Sequence, residues 1–210
     1  MPKMGENIQR EWDKEPLAGE LWDALQTRKQ DRVEGIAKLN YLADGGSALA
    51  MMHLGHDYVS SGDDEQAMVG EEWLIKSAKA GSIEGRLQLS HYYERQKNWG
   101  KALAELEALA EQGYSPAMYH LARLLNGGEL GYRAVPEAVV HLKAAISAGH
   151  LPSMALLSQI YRKEKFGIAE KIASHWLCLM KIPAFVRCLW SYPNSDRLRP
   201  YGRYPSAELG

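Results

Sequence analysis

The 210-residue sequence has few of the features that mark secreted, membrane-spanning or nucleic-acid-binding proteins. Its two cysteines, Cys178 and Cys188, cannot supply a disulfide framework and lack the C-x-x-C spacing of a zinc or redox site. The formal net charge is −1, so bulk electrostatic attraction to nucleic acid or anionic lipid is disfavoured. No apolar run reaches the roughly 18 residues of a membrane span, and no signal-peptide segment opens the chain. We therefore expect a cytoplasmic protein without a membrane span and without a nucleic-acid partner.

What the sequence does contain is an internal repeat marked by Gly46, Gly81, Gly113 and Gly149, which are 35, 32 and 36 residues apart. Counted from each glycine, offsets 4 and 9 carry small residues, offset 8 always carries leucine, and offset 12 carries tyrosine in three of the four units. The aligned residues are Ala50, Gly85, Ala117 and Ser153 at offset 4; Leu54, Leu89, Leu121 and Leu157 at offset 8; Gly55, Ser90, Ala122 and Ser158 at offset 9; and Tyr58, Tyr93, Leu125 and Tyr161 at offset 12.

The spacing of these columns predicts helical hairpins. Offsets 4, 8 and 12 fall on one stripe of a helix, and the segments that precede the glycines also carry apolar residues at helical spacing. Each unit should therefore contain a helix, a polar loop, a second helix and a glycine turn. The glycine suits the position after a helix, where positive φ is needed. Asp31 and either Asp63 or Asp64 are predicted N-caps, and Pro136 suits the first turn of another helix.

The first complete unit resembles the Sel1-like repeat, a relative of the tetratricopeptide repeat. Its pattern A-x-x-x-L-G-x-x-Y is present from Ala50 to Tyr58, and W-x-x-K-x-A-x-x-G is present from Trp73 to Gly81. The resemblance covers roughly residues 44 to 183. It implies an all-α fold, an α/α solenoid of stacked helix-turn-helix repeats, and an adaptor or scaffold role. The family motif contains no catalytic residue, so none is carried over.

The pattern and the changes in composition predict the organisation of the chain. A flexible N-terminus precedes the repeats, and an irregular tail containing proline, arginine and tyrosine follows them. That tail is either a cap that packs through Phe185, Leu189 and Trp190 or a recognition segment. The predicted boundaries are 1–15 for the N-terminus, 16–183 for the solenoid and 184–210 for the tail, with a degenerate first unit at 16–45 and further units at about 46–81, 82–113, 114–149 and 150–183.

The first helix of each unit normally lines the concave groove of such a solenoid, and its polar positions at offsets 7, 10 and 11 are candidate partner contacts. Hydrogen-bonding side chains there suit an extended peptide, whereas the plainer alternative is an ordinary solvated helix face. The candidates are His53, His56, Asp57, Gln88, His91, Tyr92, His120, Arg123 and Gln159.

These observations favour a non-catalytic protein–protein interaction module that binds a peptide or a partner domain. The sequence has no G-x-S-x-G, P-loop or Rossmann motif, so we expect no catalytic residue, no cofactor and no metal. One alternative is a metal-binding or enzymatic protein, because His53 and His56 share a helix face beside Asp57, and His91 or His120 could join them. Another is a structural protein that works by self-association.

Overall fold

The structure, a computed structural model, describes residues 6–164 and 166–173, together with residues 176, 179, 180, 183 and 186. No strand occurs among these residues, and the predicted all-α fold is confirmed. Except for Val186, the predicted tail at 184–210 lies outside the described residues, as do both cysteines. The helices are α1 Glu6–Lys14, α2 Ala18–Gln30, α3 Arg32–Asp44, α4 Ala48–Val59, α5 Asp64–Lys79, α6 Ile83–Arg95, α7 Trp99–Glu111, α8 Ser115–Gly127, α9 Val135–Ser147 and α10 Pro152–Lys163.

The chain divides into two units, one formed by Asn7–Glu105 and one that begins at Leu106. In the first unit, α2 pairs with α3 and α4 pairs with α5, and α6 then packs against both α4 and α5. In the second unit, α8 pairs with α9, and α10 packs against both of them. Within each unit, the first helix of a new hairpin therefore packs against both helices of the preceding hairpin, as in an α/α solenoid.

The repeat glycines end the second helix of each hairpin, as predicted. Gly46, Gly81, Gly113 and Gly149 have φ values of 94°, 91°, 81° and 89°, in the left-handed region that glycine adopts most readily. Each glycine N–H donates to the carbonyl three residues earlier, and the next N–H donates to the carbonyl five residues earlier. These are the paired bonds of a Schellman turn, which satisfies carbonyls that the helix leaves free.

The small and leucine columns form the core of the hairpins. The offset-4 and offset-8 residues are buried in all four units, so the stripe predicted from the sequence is the packed one. At offset 12, Tyr93, Leu125 and Tyr161 are buried, whereas Tyr58 is half-buried. Small side chains at offset 4 allow neighbouring helices to approach closely, and the leucines fill the space beside them.

The helix starts agree with the predicted caps. The Asp31 carboxylate accepts hydrogen bonds from the N–H groups of Val33 and Glu34 at 2.9 and 3.1 Å, and Asp63 accepts one from Gln66 at 2.9 Å. Pro136 lies in the first turn of α9. Each cap satisfies donors that have no partner inside the helix.

The N-terminal segment differs from the sequence prediction, which assigned residues 1–15 to a flexible N-terminus. Residues Glu6–Lys14 instead form α1, and Trp12 on this helix is only 4% exposed. The Trp12 ring meets the Trp22 ring edge-on, with 6.3 Å between ring centres. Burial of this indole is the stabilising contact that composition alone did not indicate.

Candidate partner-binding surface

Helix geometry separates the predicted groove residues into two groups. At about 100° per residue, offsets 7 and 11 lie within roughly 60° and 20° of the buried offset-4 direction, whereas offset 10 lies about 120° away. The structure follows this geometry, because the offset-7 residues His53, Gln88 and His120 are buried, and so is the offset-11 residue Tyr92. Asp57, also at offset 11, is half-buried. These five residues sit at the margin of the core.

The offset-10 positions are less buried. His56, His91 and Arg123 are half-buried, and Gln159 is exposed. His56 and His91 lie on α4 and α6, which pack against each other in the first unit, whereas Arg123 and Gln159 lie on α8 and α10 in the second unit. The hydrogen-bonding face predicted for the first helices is therefore carried mainly by offset 10.

Beside His56, an ion pair fixes the polar face of α4. Arg28 Nη1 on α2 donates to Asp57 Oδ2 at 2.8 Å, and both side chains are 18% exposed. Burial acts to raise the pKa of Asp57, but the neighbouring His56 imidazole and the Arg28 guanidinium outweigh it and lower that pKa. Gly35 on α3 lies directly against the Arg28 backbone, so α2 and α3 cross closely at this point. The carboxylate is thus held charged and in place.

His53 lies on the buried side of the same turn and is 4% exposed. Burial, with help from the nearby Arg28 charge, lowers the pKa of His53 to about 3. The imidazole therefore stays neutral at physiological pH. A neutral, buried ring has a packing role here and is not accessible to a peptide.

On α6, the adjacent residues Tyr92 and Tyr93 are both buried, with 5.7 Å between their ring centres. The Tyr93 hydroxyl donates to Glu71 Oε1 at 2.8 Å, and Lys101 Nζ donates to the same oxygen at 3.2 Å. Burial and the Glu71 carboxylate raise the pKa of both tyrosines. Glu71 thus links α5, α6 and the start of α7, a role that its position outside the aligned columns did not indicate.

In the second unit, His120 and His150 lie inside the hairpins. His120 is 2% exposed and meets the Tyr119 ring edge-on at 5.5 Å between centres. His150 is fully buried, with its Nδ1 2.8 Å from Ser153 Oγ, and its ring centre lies 5.4 Å from that of Tyr119. This aromatic and imidazole cluster packs the junction between hairpins and leaves Arg123 and Gln159 as the accessible candidates.

The described residues contain neither a candidate metal cluster nor a candidate membrane-spanning helix. Nowhere among them do three His, Cys, Asp or Glu side chains converge as they would around a metal ion. None of the helices in that part of the chain combines the length and apolar character that a membrane crossing needs.

The arrangement is shared with proteins of known structure. The chain is similar to a Sel1 repeat protein from Oxalobacter formigenes, with 20% identity and a TM-score of 0.60 over 78% of this chain and 69% of that one. The chain has the Sel1-like repeat fold. It is also similar to a protective antigen present in uropathogenic Escherichia coli strains that displays this fold, with 17% identity and a TM-score of 0.57. That match covers 77% of this chain and 44% of the antigen, so the chain spans less than half of that protein's length.

The Sel1-like repeat prediction made from two short motifs is therefore confirmed at the level of the fold. No protein-family description and no curated protein sequence matches the chain. At such low sequence identity, structural similarity establishes the fold but not the roles of the surface side chains. Those roles are inferred from this chain alone. That surface also includes Arg28, which could not be predicted because it lies in the degenerate first hairpin, where no glycine offset applies.

Proposed function

We propose that this Sel1-like repeat protein is a non-catalytic interaction module, an adaptor or scaffold that binds a peptide or partner domain through the offset-10 face of its first helices. The observation that carries the proposal is the preorganised polar surface at the end of α4. There, the accessible His56 imidazole lies beside a carboxylate that Arg28 holds at 2.8 Å. Donors and acceptors fixed before binding lose little side-chain entropy when a partner docks.

The chemistry of this face suits polar peptide segments. His56 is 45% exposed, and its Nδ1 lies 3.9 Å from Asp57 Oδ1, so the ring is oriented by a neighbouring charge while remaining accessible. Imidazole can donate to a peptide carbonyl or a carboxylate, and Asp57 can accept from a peptide N–H. His91 extends the same face onto α6 within the first unit.

The experiment is affinity capture from a lysate with mass spectrometry, using the full-length chain as bait. A His56→Ala, His91→Ala double variant should lose the proteins that the wild type captures, with unchanged helicity by circular dichroism. Glu72→Ala is the matched control, because Glu72 is exposed on α5, the second helix of its hairpin, and should leave capture intact. The same captured proteins with the double variant would refute this binding face.

Self-association is a second candidate, favoured by a separate observation near the C-terminal end of the described residues. Ile168, Ile172, Trp176 and Leu179 are 78%, 63%, 64% and 54% exposed, and with Lys171 they line a cavity of about 520 Å³. Their spacing of four, four and three residues places them on one helical face. A contiguous exposed apolar face is typical of an interaction site.

Light scattering across protein concentration tests this second candidate. If the face joins copies of the chain, the mass of the wild type rises with concentration, and Trp176→Ser keeps the protein monomeric. Val140→Ser is the control, since Val140 is 64% exposed on α9 and should behave as wild type. A wild type that stays monomeric at all concentrations would exclude self-association and leave the partner-binding proposal untouched.

A further inference from the structure

Two adjacent residues on α1 attach this helix to the first unit. Glu11 Oε1 accepts hydrogen bonds from the backbone N–H groups of Ile83 and Glu84 at 2.8 and 3.1 Å, and Glu11 Oε2 lies 2.6 Å from Ser82 Oγ. Next to it, Trp12 is buried with its ring edge-on to Trp22. The carboxylate thus reaches the beginning of α6 from more than 70 positions earlier in the sequence.

The N-terminus of α6 provides the donors that a carboxylate needs. The first N–H groups of a helix have no partner within it, and the helix dipole favours negative charge there. Ser82 is the N-cap of α6, and its Oγ accepts a hydrogen bond from the Gly85 N–H at 2.9 Å. The serine hydroxyl proton remains able to point at Glu11, so Ser82 and Glu11 cap the helix together.

α1 itself is too short to be stable on its own. It has nine residues, whereas isolated helices shorter than about 12–15 residues are marginal in water. Its sequence ENIQREWDK contains only Ile8 and Trp12 as large apolar residues. The helical state of α1 therefore depends on the contacts of Glu11 and Trp12, and loss of those contacts should melt it locally.

The packing around the contact is open on one side. A cavity of about 350 Å³ lies there. Arg10, Glu11, Lys14 and Glu15 line it from the α1 side, and the first turns of α4 and α6 line it from the other. The hairpins beneath have their own caps and turns, because Ser47 caps α4 through the Ala50 N–H and the Schellman turns are made by backbone. Removal of α1 leaves these local bonds in place.

We propose that α1 is a latch: Glu11 and Trp12 hold it over the first turn of α6, and its release uncovers the Ser82 hydroxyl and the Ile83 and Glu84 N–H groups while α2–α6 stay folded. The latch is independent of the partner-binding face proposed above.

Hydrogen exchange on the full-length chain measures the opening directly. Glu11→Ala should raise exchange in residues 6–14 and at the Ile83 and Glu84 amides, with α4 and α5 unchanged. Asp13→Asn is the matched control, because Asp13 is an exposed acidic residue on the same helix and should leave exchange as in the wild type. Exchange that rises through α4, α5 and α6 together, or that does not change, would overturn the latch.

A peptide added in trans provides a second measurement. A labelled peptide of residues 6–16 should bind the full-length Glu11→Ala, Trp12→Ala double variant, in which the latch is open, and should bind the wild type less because α1 occupies the site. A peptide that itself carries Glu11→Ala should bind the double variant about tenfold more weakly, as expected for loss of the hydrogen bonds between Glu11 and the start of α6. Equal binding of the two peptides, or no binding of either, would refute the assignment of Glu11 and Trp12 as the latch contacts.

Discussion

Gly55 on α4 and Gly70 on α5 face each other at the crossing of their hairpin, with backbone against backbone. A β-carbon added to Gly55 would lie 3.0 Å from the Gly70 carbonyl oxygen, and one added to Gly70 would lie 2.8 Å from the Gly55 carbonyl oxygen. Real β-carbons avoid such distances, so the two helices sit closer than any other residue pair would allow. Gly55, from the offset-9 column of small residues, and Gly70 on α5 are therefore halves of one contact.

Substitution of Gly70 by alanine should therefore destabilise the protein despite the better helix propensity of alanine. We expect a loss of about 1–3 kcal/mol in the free energy of unfolding, because the added methyl group meets Val59 and the Gly55 carbonyl. Urea unfolding measures the change. Gly19→Ala is the control, since nothing lies within 4 Å of a β-carbon there, and it should be neutral or stabilising by up to about 1 kcal/mol. Equal effects at the two positions would mean that α4 and α5 do not cross at these glycines.

The Arg28–Asp57 pair should contribute measurably to stability. A double-mutant cycle with Arg28→Ala and Asp57→Ala should give a coupling free energy of about 1 kcal/mol, which decreases with salt because both groups still contact solvent. The comparison pair is Lys38–Asp23, joined at 2.7 Å with side chains 38% and 67% exposed. Solvent screens this exposed pair more strongly, so its coupling should be the smaller. A larger coupling for the exposed pair would contradict the role given to Arg28.

His53 should make the first unit sensitive to acid. The pKa of His53 falls from its ordinary value of 6.5 to about 3 in the folded chain, so the unfolded chain binds the proton more readily. Stability should consequently fall as the pH drops from 6.5 towards 3, by up to about 1.4 kcal/mol per pH unit. His53→Gln removes this titration, so the stability difference between variant and wild type should narrow or reverse on acidification. His56→Gln is the control, because it keeps His53 and should lose stability on acidification as the wild type does. If His53→Gln is as sensitive to acid as His56→Gln, burial of His53 is not the cause.

Glu11 should have the opposite pH dependence. Burial and the nearby Glu84 charge raise its pKa from 4.5 to about 7 against the lowering effect of its hydrogen bonds. The docked state binds the proton more readily, so docking is strongest below about pH 4.5 and weakens as the pH rises to about 7. The charged groups around this carboxyl are Glu84 on α6, Arg10 and Lys14 on α1, and Glu15 directly after α1. The residue 6–16 peptide should therefore bind the latch-open double variant more tightly at pH 5 than at pH 8.

A peptide with Glu11→Gln isolates the contribution of this carboxyl. The amide keeps a hydrogen-bond acceptor but does not titrate, so its affinity should change little between the two pH values. If the wild-type and Gln peptides respond to pH in the same way, the dependence arises elsewhere, and Glu11 is not the responsible group.

The aligned columns of small residues and leucines could be predicted because they recur in each unit. A position that recurs at the same distance from four glycines is constrained by the same crossing each time, so Ala50 and Leu54 were correctly placed in the core. His53 was predicted as a groove residue because it is polar, yet at offset 7 it lies next to the offset-4 stripe and is buried. That prediction relied on the polar character of His53. The position of the residue around the helix axis, however, determines that it is buried.

Contacts between segments that are far apart in the sequence could not be predicted from the sequence. Glu11 and Ser82 occupy ordinary-looking polar positions, and no local pattern connects a carboxylate on α1 with the first turn of a helix more than 70 residues later. Arg28 likewise lies in a hairpin that has lost the glycine register. Both contacts depend on how the hairpins stack. Neither Glu11 nor Arg28 belongs to a repeated column, so a single sequence does not indicate these contacts.

The Schellman turns at the hairpin ends have an evolutionary consequence. Each one closes through bonds within about six residues of its own backbone, such as Ser47 N–H to the Leu42 carbonyl and Ser82 N–H to the Ser77 carbonyl, each within 3.1 Å. A whole hairpin can consequently be duplicated or deleted between two such glycines without changing the hydrogen bonds of the turns on either side. Arrays of this kind are free to change length by gene duplication, and each added hairpin brings one more offset-10 position with it.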